Sequence, residues 1–376
     1  MDSLAQELLD AIIEHIPPCE TQSCSLVARR WRKPSQRRYF SNLVFSTERE
    51  VFLWRANIPQ ELNGIPSYVR NVEFRGIHSW AEPTLFGWVL RCFRRIRTLT
   101  IYETEAPPSE IDKIVARSEF GKEVTSLTFI VPFSATVPLM GLALSCPKLQ
   151  NLELTQTDFE PPSSIPLDKT WQGGPLRSLR LFILDGEGID LLASCGITSH
   201  KLDLHIADER IEDVIASSSE TVRELVLRGL RLLELYGQGV ILTNSSDTCA
   251  YVTPTNLPHM PPLPVLTTVE IEIHLGPLSD RVITLLSFLS APALSSITFR
   301  YDESTLREDI DFYRFSRWTD MDKCLARLAA HAKKDGSLTV VLTPWRVEDL
   351  VEKCLPEFRK AGGELKVEFD ARDQRG

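Results

Sequence analysis

The chain has 376 residues, 43% hydrophobic and 25% charged, a balance that excludes a disordered or low-complexity protein despite its 24 prolines. A formal charge of −9 and a pI near 5.4 argue against a general nucleic-acid binder, which needs a basic surface to neutralise phosphates. Apolar runs such as Val282 to Leu289 contain Ser and Thr and stop well short of the roughly 18 residues that span a bilayer, so no membrane segment is predicted.

Met1-Asp2-Ser3 is acidic and passes straight into an amphipathic pattern, without a basic n-region, an apolar h-region or a small-residue cleavage site, which points to an intracellular chain. Residues 4–16 place Leu4, Leu8, Leu9, Ile12, Ile13 and Ile16 at three- and four-residue steps, the apolar stripe of a helix, with Glu7, Asp10 and Glu14 opposite. Pro17-Pro18 stops it. A second helical run over residues 21–31 carries Leu26, Val27 and Trp31 and enters a basic segment, Arg29-Arg30-Trp31-Arg32-Lys33 with Arg37-Arg38. That segment reads as a solvated helix end, with a nuclear-import or nucleic-acid patch as the alternative. Helices confined to about 45 residues bury too little apolar surface to stand comfortably alone, and they need a partner surface. Residues 46–66, with Trp54 and breaks at Pro59 and Pro66, read as a linker.

Beyond the linker one figure recurs, most clearly in Cys146-Pro-Lys-Leu149-Gln-Asn-Leu152-Glu-Leu154-Thr155: a helix end, a Pro stop, then a short strand whose leucines turn inward together. Copies follow at residues 175–181, 221–227 and 292–299, and looser ones at 69–74, 96–101, 124–129, 201–204, 266–271, 338–340 and 365–367. The apolar strand centres fall at 72, 99, 127, 152, 179, 202, 225, 269, 297, 338 and 365, and their successive spacings are 27, 28, 25, 27, 23, 23, 44, 28, 41 and 27. Eight of these ten lie in the roughly 20–29 residue period of leucine-rich repeats, whose L-x-x-L-x-L core the segments resemble. The two long spacings are insertions or repeats too degenerate to see.

Helical patterns separate the strands at residues 109–117, 137–145, 187–194, 209–217, 280–289, 320–333 and 344–361. Strands joined through crossover helices lie parallel, which predicts a curved parallel sheet with helices on its convex side. Residues 236–264, with five prolines, Gly237, Gly239 and Asn244-Ser245-Ser246-Asp247, leave this rhythm as either a mobile insertion or a partner-binding loop. The eight cysteines are scattered without a C-x-x-C pair, and read as reduced, mostly buried thiols.

Nothing points to an enzyme: no G-x-S-x-G elbow, no H-E-x-x-H, no phosphate loop and no complete dinucleotide fingerprint is present. Asp203 and His205 on one strand with Glu270, Glu272 and His274 on another form the nearest thing to a metal cluster, but an intervening strand holds the two sets about 10 Å apart. No metal and no cofactor are expected. The residues alternating with the inward leucines instead form a candidate binding face, on which Arg75, Tyr102, Glu153, Arg180, Phe182, His205, Arg228, Glu272 and Arg300 are the candidate substrate contacts.

Residues 4–16, Leu-Ala-Gln-Glu-Leu-Leu-Asp-Ala-Ile-Ile-Glu-His-Ile, followed by Cys24-Ser25-Leu26-Val27-Ala28-Arg29-Arg30-Trp31-Arg32, resemble the F-box: a Leu-Pro-x-Glu-Leu-Leu helix, a hinge and a Leu-Val-Cys-Arg-x-Trp helix. Ala5 stands at the usual Pro and Ala28 at the frequent Cys. The resemblance implies an α/β chain in three parts: a small all-α F-box at residues 1–45, the linker at 46–66, and a leucine-rich-repeat solenoid at 67–376 with an insertion near 236–264. It further implies a substrate-recognition subunit of an SCF-type cullin–RING ubiquitin ligase, acting in the cytoplasm or nucleus without catalysis of its own. Leu4, Leu8, Leu9, Ile12, Ile13, Ile16, Leu26, Val27 and Trp31 would dock the Skp-type adaptor, and the repeats would hold a protein substrate, with no nucleic-acid or membrane partner. A repeat scaffold with no ubiquitin link is the alternative.

Overall fold

The computed structural model describes residues 5–57, 64–77, 82, 84–102, 120–131, 133–156, 170–182, 192–205, 211–228, 261–273, 280–301, 318–332, 337–343 and 355–367. Leu4, His274, the helix expected at 109–117, most of that at 187–194 and the bulk of the 236–264 excursion lie outside them. The chain divides into two compact units, Met1–Leu176 with Ser194–Gly196, and Arg177–Ala193 with Ile197–Gly376.

The first unit begins with helices α1 (Gln6–His15), α2 (Thr21–Val27) and α3 (Arg29–Tyr39). The single helical run expected over residues 21–31 is split, because Ala28 takes an extended backbone (φ −157°, ψ 157°). Helix α3 then continues past Pro34, whose ring is buried. Strand β1 (Asn42–Phe45), helix α4 (Glu48–Asn57), strand β2 (Asn71–Arg75), helix α5 (Thr84–Cys92), strands β3 (Thr98–Tyr102) and β4 (Ser126–Val131), helix α6 (Phe133–Leu144) and strand β5 (Asn151–Gln156) complete it. Strands β1 to β5 pair in chain order, all parallel, in the register Leu43, Val72, Leu99, Leu127 and Leu152.

The segment expected as a linker thus contains an ordered helix, and β1 precedes the first strand read from the repeats. Both are tied in by aromatic rings. Phe40, at the end of α3, meets Trp54 of α4 at 5.9 Å; Trp54 meets Phe45 at 6.2 Å and Phe93 at 5.5 Å; Phe45 stacks on Phe74 at 5.7 Å, and Phe74 meets Phe86 at a tilt at 5.5 Å. Offset and edge-on pairs of this kind each add about 1 kcal/mol beyond the area they bury.

The second unit holds β6 (Ser178–Phe182), β7 (Lys201–His205), α7 (Ile211–Ser217), β8 (Glu224–Arg228), β9 (Thr268–Ile273), α8 (Asp280–Phe288), β10 (Ser296–Tyr301), α9 (Trp318–Ala332), β11 (Thr339–Thr343), α10 (Pro356–Lys360) and β12 (Glu364–Val367). Its seven strands are also parallel and in chain order, with Leu179, Leu202, Leu225, Val269, Ile297, Val340 and Leu365 in register. The strand centre read at Leu338 therefore belongs two residues on, at Val340; both side chains are buried on the same face. Because β8 pairs directly with β9 and β10 with β11, the two long spacings insert chain between neighbours and add no strand to the ladder.

A backbone device repeats with the strands. One carbonyl just before a strand accepts both leading amides of the next repeat at several places: Ser41 from Arg70 and Asn71, Arg70 from Arg97 and Thr98, and Arg97 from Thr125 and Ser126. Thr125, His200, Arg223 and Thr267 do the same. Three residues before the strand centre, Val69, Ile96, Val124, Leu149, Leu176, Val222, Leu266 and Leu294 are all buried. Ser199 occupies this place in its repeat, and its hydroxyl donates to the Lys201 carbonyl at 2.7 Å, so the polar group is satisfied inside.

Within the second unit α9 and α10 are joined by a carboxylate. Asp322 is buried, and its Oδ2 accepts the Glu357 amide at 3.0 Å while its Oδ1 accepts the Phe358 amide at 2.8 Å. A side chain from one helix thus caps the N-terminus of another, supplying partners to amides that have none within their own helix.

Candidate functional site

The apolar stripe of α1 divides between two roles. Leu9 and Ile13 are 1% and 2% exposed, whereas Leu8 and Ile12 are 57% and 42% exposed. Helices α1 and α2 both pack on α3, and α2 leaves Leu26 at 85% and Val27 at 59% exposure. Ile16 and Trp31 are half-buried. Of the expected adaptor contacts, Leu8, Ile12, Leu26 and Val27 thus remain available, while Leu9 and Ile13 hold the helices together. Solvated apolar side chains on two helices that are each anchored to a third are what an interface anchor needs before its partner arrives.

On the sheets, the side chains alternating with the buried ones form a face that is half open to solvent. In the first unit the register sets Arg75 beside Tyr102, and Glu153 beside Thr128, whose hydroxyl donates to its carboxylate at 3.4 Å. Arg75 pairs with Glu73 on its own strand.

The second unit carries a more elaborate arrangement. His205, Arg228, Glu272 and Arg300 stand side by side on four successive strands, a row about 14 Å long at the usual strand spacing. Asp203, only 2% exposed, sits one pair earlier and takes hydrogen bonds from two arginines: Arg180 Nε to Oδ2 at 2.9 Å, and Arg228 Nε to Oδ1 at 2.7 Å with Nη2 to Oδ2 at 3.0 Å. Arg228 also gives Nη1 to Glu272 at 2.8 Å. The hydrogen bonds to Asp203, ahead of the attraction of the two carboxylates, raise the Arg228 pKa despite its partial burial. At the ends of the row, Arg180 lies 5.5 Å from the Phe182 ring, and Arg300, the most exposed of these arginines, reaches Glu270 at 3.3 Å.

In this chain of alternating charges Asp203 and Glu272 are both engaged by guanidinium groups, and β8 stands between their strands. Among the described residues no group of three or more His, Cys, Asp or Glu gathers as a metal site. Asp203 was legible from the sequence as a face residue but not as the hub, since that requires Arg180 and Arg228 to flank it in register.

The cysteines divide by depth. Among the described residues Cys146 and Cys195 are buried, Cys24, Cys92 and Cys324 are half-buried and Cys19 is exposed, so there the expectation of mostly buried thiols holds in full at two of six; Cys249 and Cys354 lie outside the described residues. Burial pushes the Cys146 thiol up to about 12 and those of Cys195 and Cys92 to about 11, which keeps them protonated and poorly nucleophilic. Among the described residues no helix is long and apolar enough to cross a membrane. No family model matches the sequence, and no curated protein matches it.

Proposed function

We propose that the chain is the substrate-recognition subunit of an SCF-type cullin–RING ubiquitin ligase, with an F-box at its N-terminus and a leucine-rich-repeat solenoid behind it. The observation that carries this reading is the split stripe of the N-terminal helices: Leu8, Ile12, Leu26 and Val27 exposed on helices that Leu9 and Ile13 already hold in place. These side chains dock a Skp-type adaptor. The parallel strands, recurring at the spacing of leucine-rich repeats, present an arginine- and carboxylate-rich face to a protein substrate. The chain does no covalent chemistry; it works in the cytoplasm or nucleus by tethering, which raises the effective concentration of substrate lysines near the conjugating enzyme.

Affinity capture of the full chain after proteasome inhibition, read by mass spectrometry, tests this. The Skp-type adaptor and a cullin should be recovered together with ubiquitinated proteins. Recovery of partners without adaptor or cullin would favour a repeat scaffold with no ubiquitin link.

A further inference from the structure

Against an overall charge of −9, residues 29–38 hold six Arg or Lys and residues 91–97 hold four Arg, with no acidic residue in either stretch. The fold brings part of both together. Lys33 and Arg37 from α3, Ser67, Tyr68 and Arg70 from the turn that enters β2, and Arg95 from the turn that enters β3 line one cleft of about 500 Å³ in the first unit. Lys33, Arg37 and Arg95 are exposed. None of the three forms a salt bridge among the described residues.

Arg70 is the half-buried cation of this cleft. Its Nη1 donates to the backbone carbonyls of Ser67 at 2.7 Å and Val69 at 2.9 Å, so the side chain is fixed in place. Burial first, and then the charges of Arg95, Arg97 and Arg37, lower its pKa, the signature of cations gathered without enough counter-charge. Glu123, whose charge opposes this shift, already pairs with Lys148 at 2.8 Å. Ser67 spends its hydroxyl proton on the Gly64 carbonyl at 2.7 Å, which leaves the guanidinium groups, Lys33 and the Tyr68 phenol as the donors.

We infer that this cleft is a binding site for a compact organic phosphate, held by Lys33, Arg37, Arg70 and Arg95. Guanidinium groups meet phosphate through paired, charge-assisted hydrogen bonds, and an incoming dianion relieves the repulsion among the four cations. Convergence of three chain segments on one bounded cleft suits a small ligand rather than a polymer, which would need a longer basic track. The site is independent of adaptor docking, which uses the apolar residues of α1 and α2.

Calorimetric titration of the full chain with pyrophosphate and with glycerol 2-phosphate at low ionic strength tests the inference, with malonate as a dianion lacking phosphate geometry. Saturable one-to-one binding of both phosphates, stronger than malonate, is expected. The double variant Arg37→Gln with Arg95→Gln removes two exposed side chains and should lower affinity about 100-fold, about tenfold for each charge-assisted contact, with an unchanged thermal midpoint in the absence of ligand. Co-sedimentation with phosphoinositide-containing vesicles separates the two sources of the group: retention on vesicles with weak soluble binding assigns a lipid headgroup, and the reverse assigns a soluble phosphate. Absence of saturable binding at millimolar phosphate, equal affinity in the double variant, or displacement of pyrophosphate by a single-stranded RNA that binds far more tightly would overturn it.

Discussion

Arg228 grips Asp203 through two parallel hydrogen bonds, Nε to Oδ1 at 2.7 Å and Nη2 to Oδ2 at 3.0 Å, and the carboxylate they hold is almost completely buried. Two-pronged pairing of this kind fixes direction as well as charge, which is how a strand-to-strand contact acquires a defined geometry. Removal of Arg228 leaves Asp203 with Arg180 alone. Arg228→Ala should therefore lower stability by about 2 kcal/mol, less than a fully buried pair would lose because Arg228 is partly solvated. Urea unfolding of the two single variants and the double variant measures the coupling: Asp203→Ala with Arg228→Ala should cost less than the sum of the singles.

Asp322 makes a second checkable link, between α9 and α10. A five-residue helix such as Pro356–Lys360 has little stability of its own, and the two amides capped by Asp322 are part of what keeps it in place. Asp322→Ala should cost about 2 kcal/mol, and Asp322→Asn less, since the amide keeps one acceptor. Hydrogen exchange at Glu357 and Phe358 reports the loss locally, ahead of the rest of the unit.

Most of the strand order was legible because apolar side chains on a covered strand must alternate, and because each repeat has to return to the same depth. Leu149-x-x-Leu152-x-Leu154 shows both constraints in six residues, and the strands from β2 to β10 carry a recognisable version, with Ser199 as the one polar leading residue; β11 and β12 keep only the last two apolar places. β1 escaped for a physical reason: Leu43 is half-buried and Val44 exposed, so only Phe45 gives the inward signal. Helices α4 and α5 were hidden differently. Helix α4 buries Val51 and leans on the rings around Trp54, while α5 buries a run from Leu85 to Leu90 in which Phe86 and Trp88 stand among aliphatic side chains, so neither shows a spaced leucine stripe. The basic cleft could not be read at all, because Arg37, Arg70 and Arg95 are neighbours only once β2 and β3 are in register with α3 nearby.

The thiols give a prediction with a sign. A thiol is neutral when protonated, and burial raises the Cys146 pKa to about 12 in the folded chain, above the ordinary thiol value of 9.0. Below the ordinary value both folded and unfolded chains keep the proton; as pH rises toward the folded value the unfolded chain releases it first, so alkali erodes stability in that window. Iodoacetamide at about pH 8 should accordingly modify exposed Cys19 fastest and Cys146 slowest, as read by peptide mass spectrometry. Equal rates at the two sites would mean that the strand-entry turn around Cys146 opens readily.

The proposed function requires the N-terminal helices to carry two apolar faces, one exposed at Leu8 and Ile12 and one buried at Leu9 and Ile13. Size-exclusion chromatography of the purified chain mixed with a purified Skp-type adaptor, for wild type and for Leu8→Ala with Ile12→Ala, tests it most directly. The wild type should elute as a one-to-one complex. The double variant should elute alone while its thermal midpoint stays within about 2 °C of wild type, because surface truncations cost little. Leu9→Ala with Ile13→Ala should instead lower the midpoint strongly, since each buried side chain lost costs about 2–5 kcal/mol. Wild-type chain that forms no complex with the adaptor, or a Leu8 and Ile12 variant that binds as well as wild type, would rule out adaptor docking through this face.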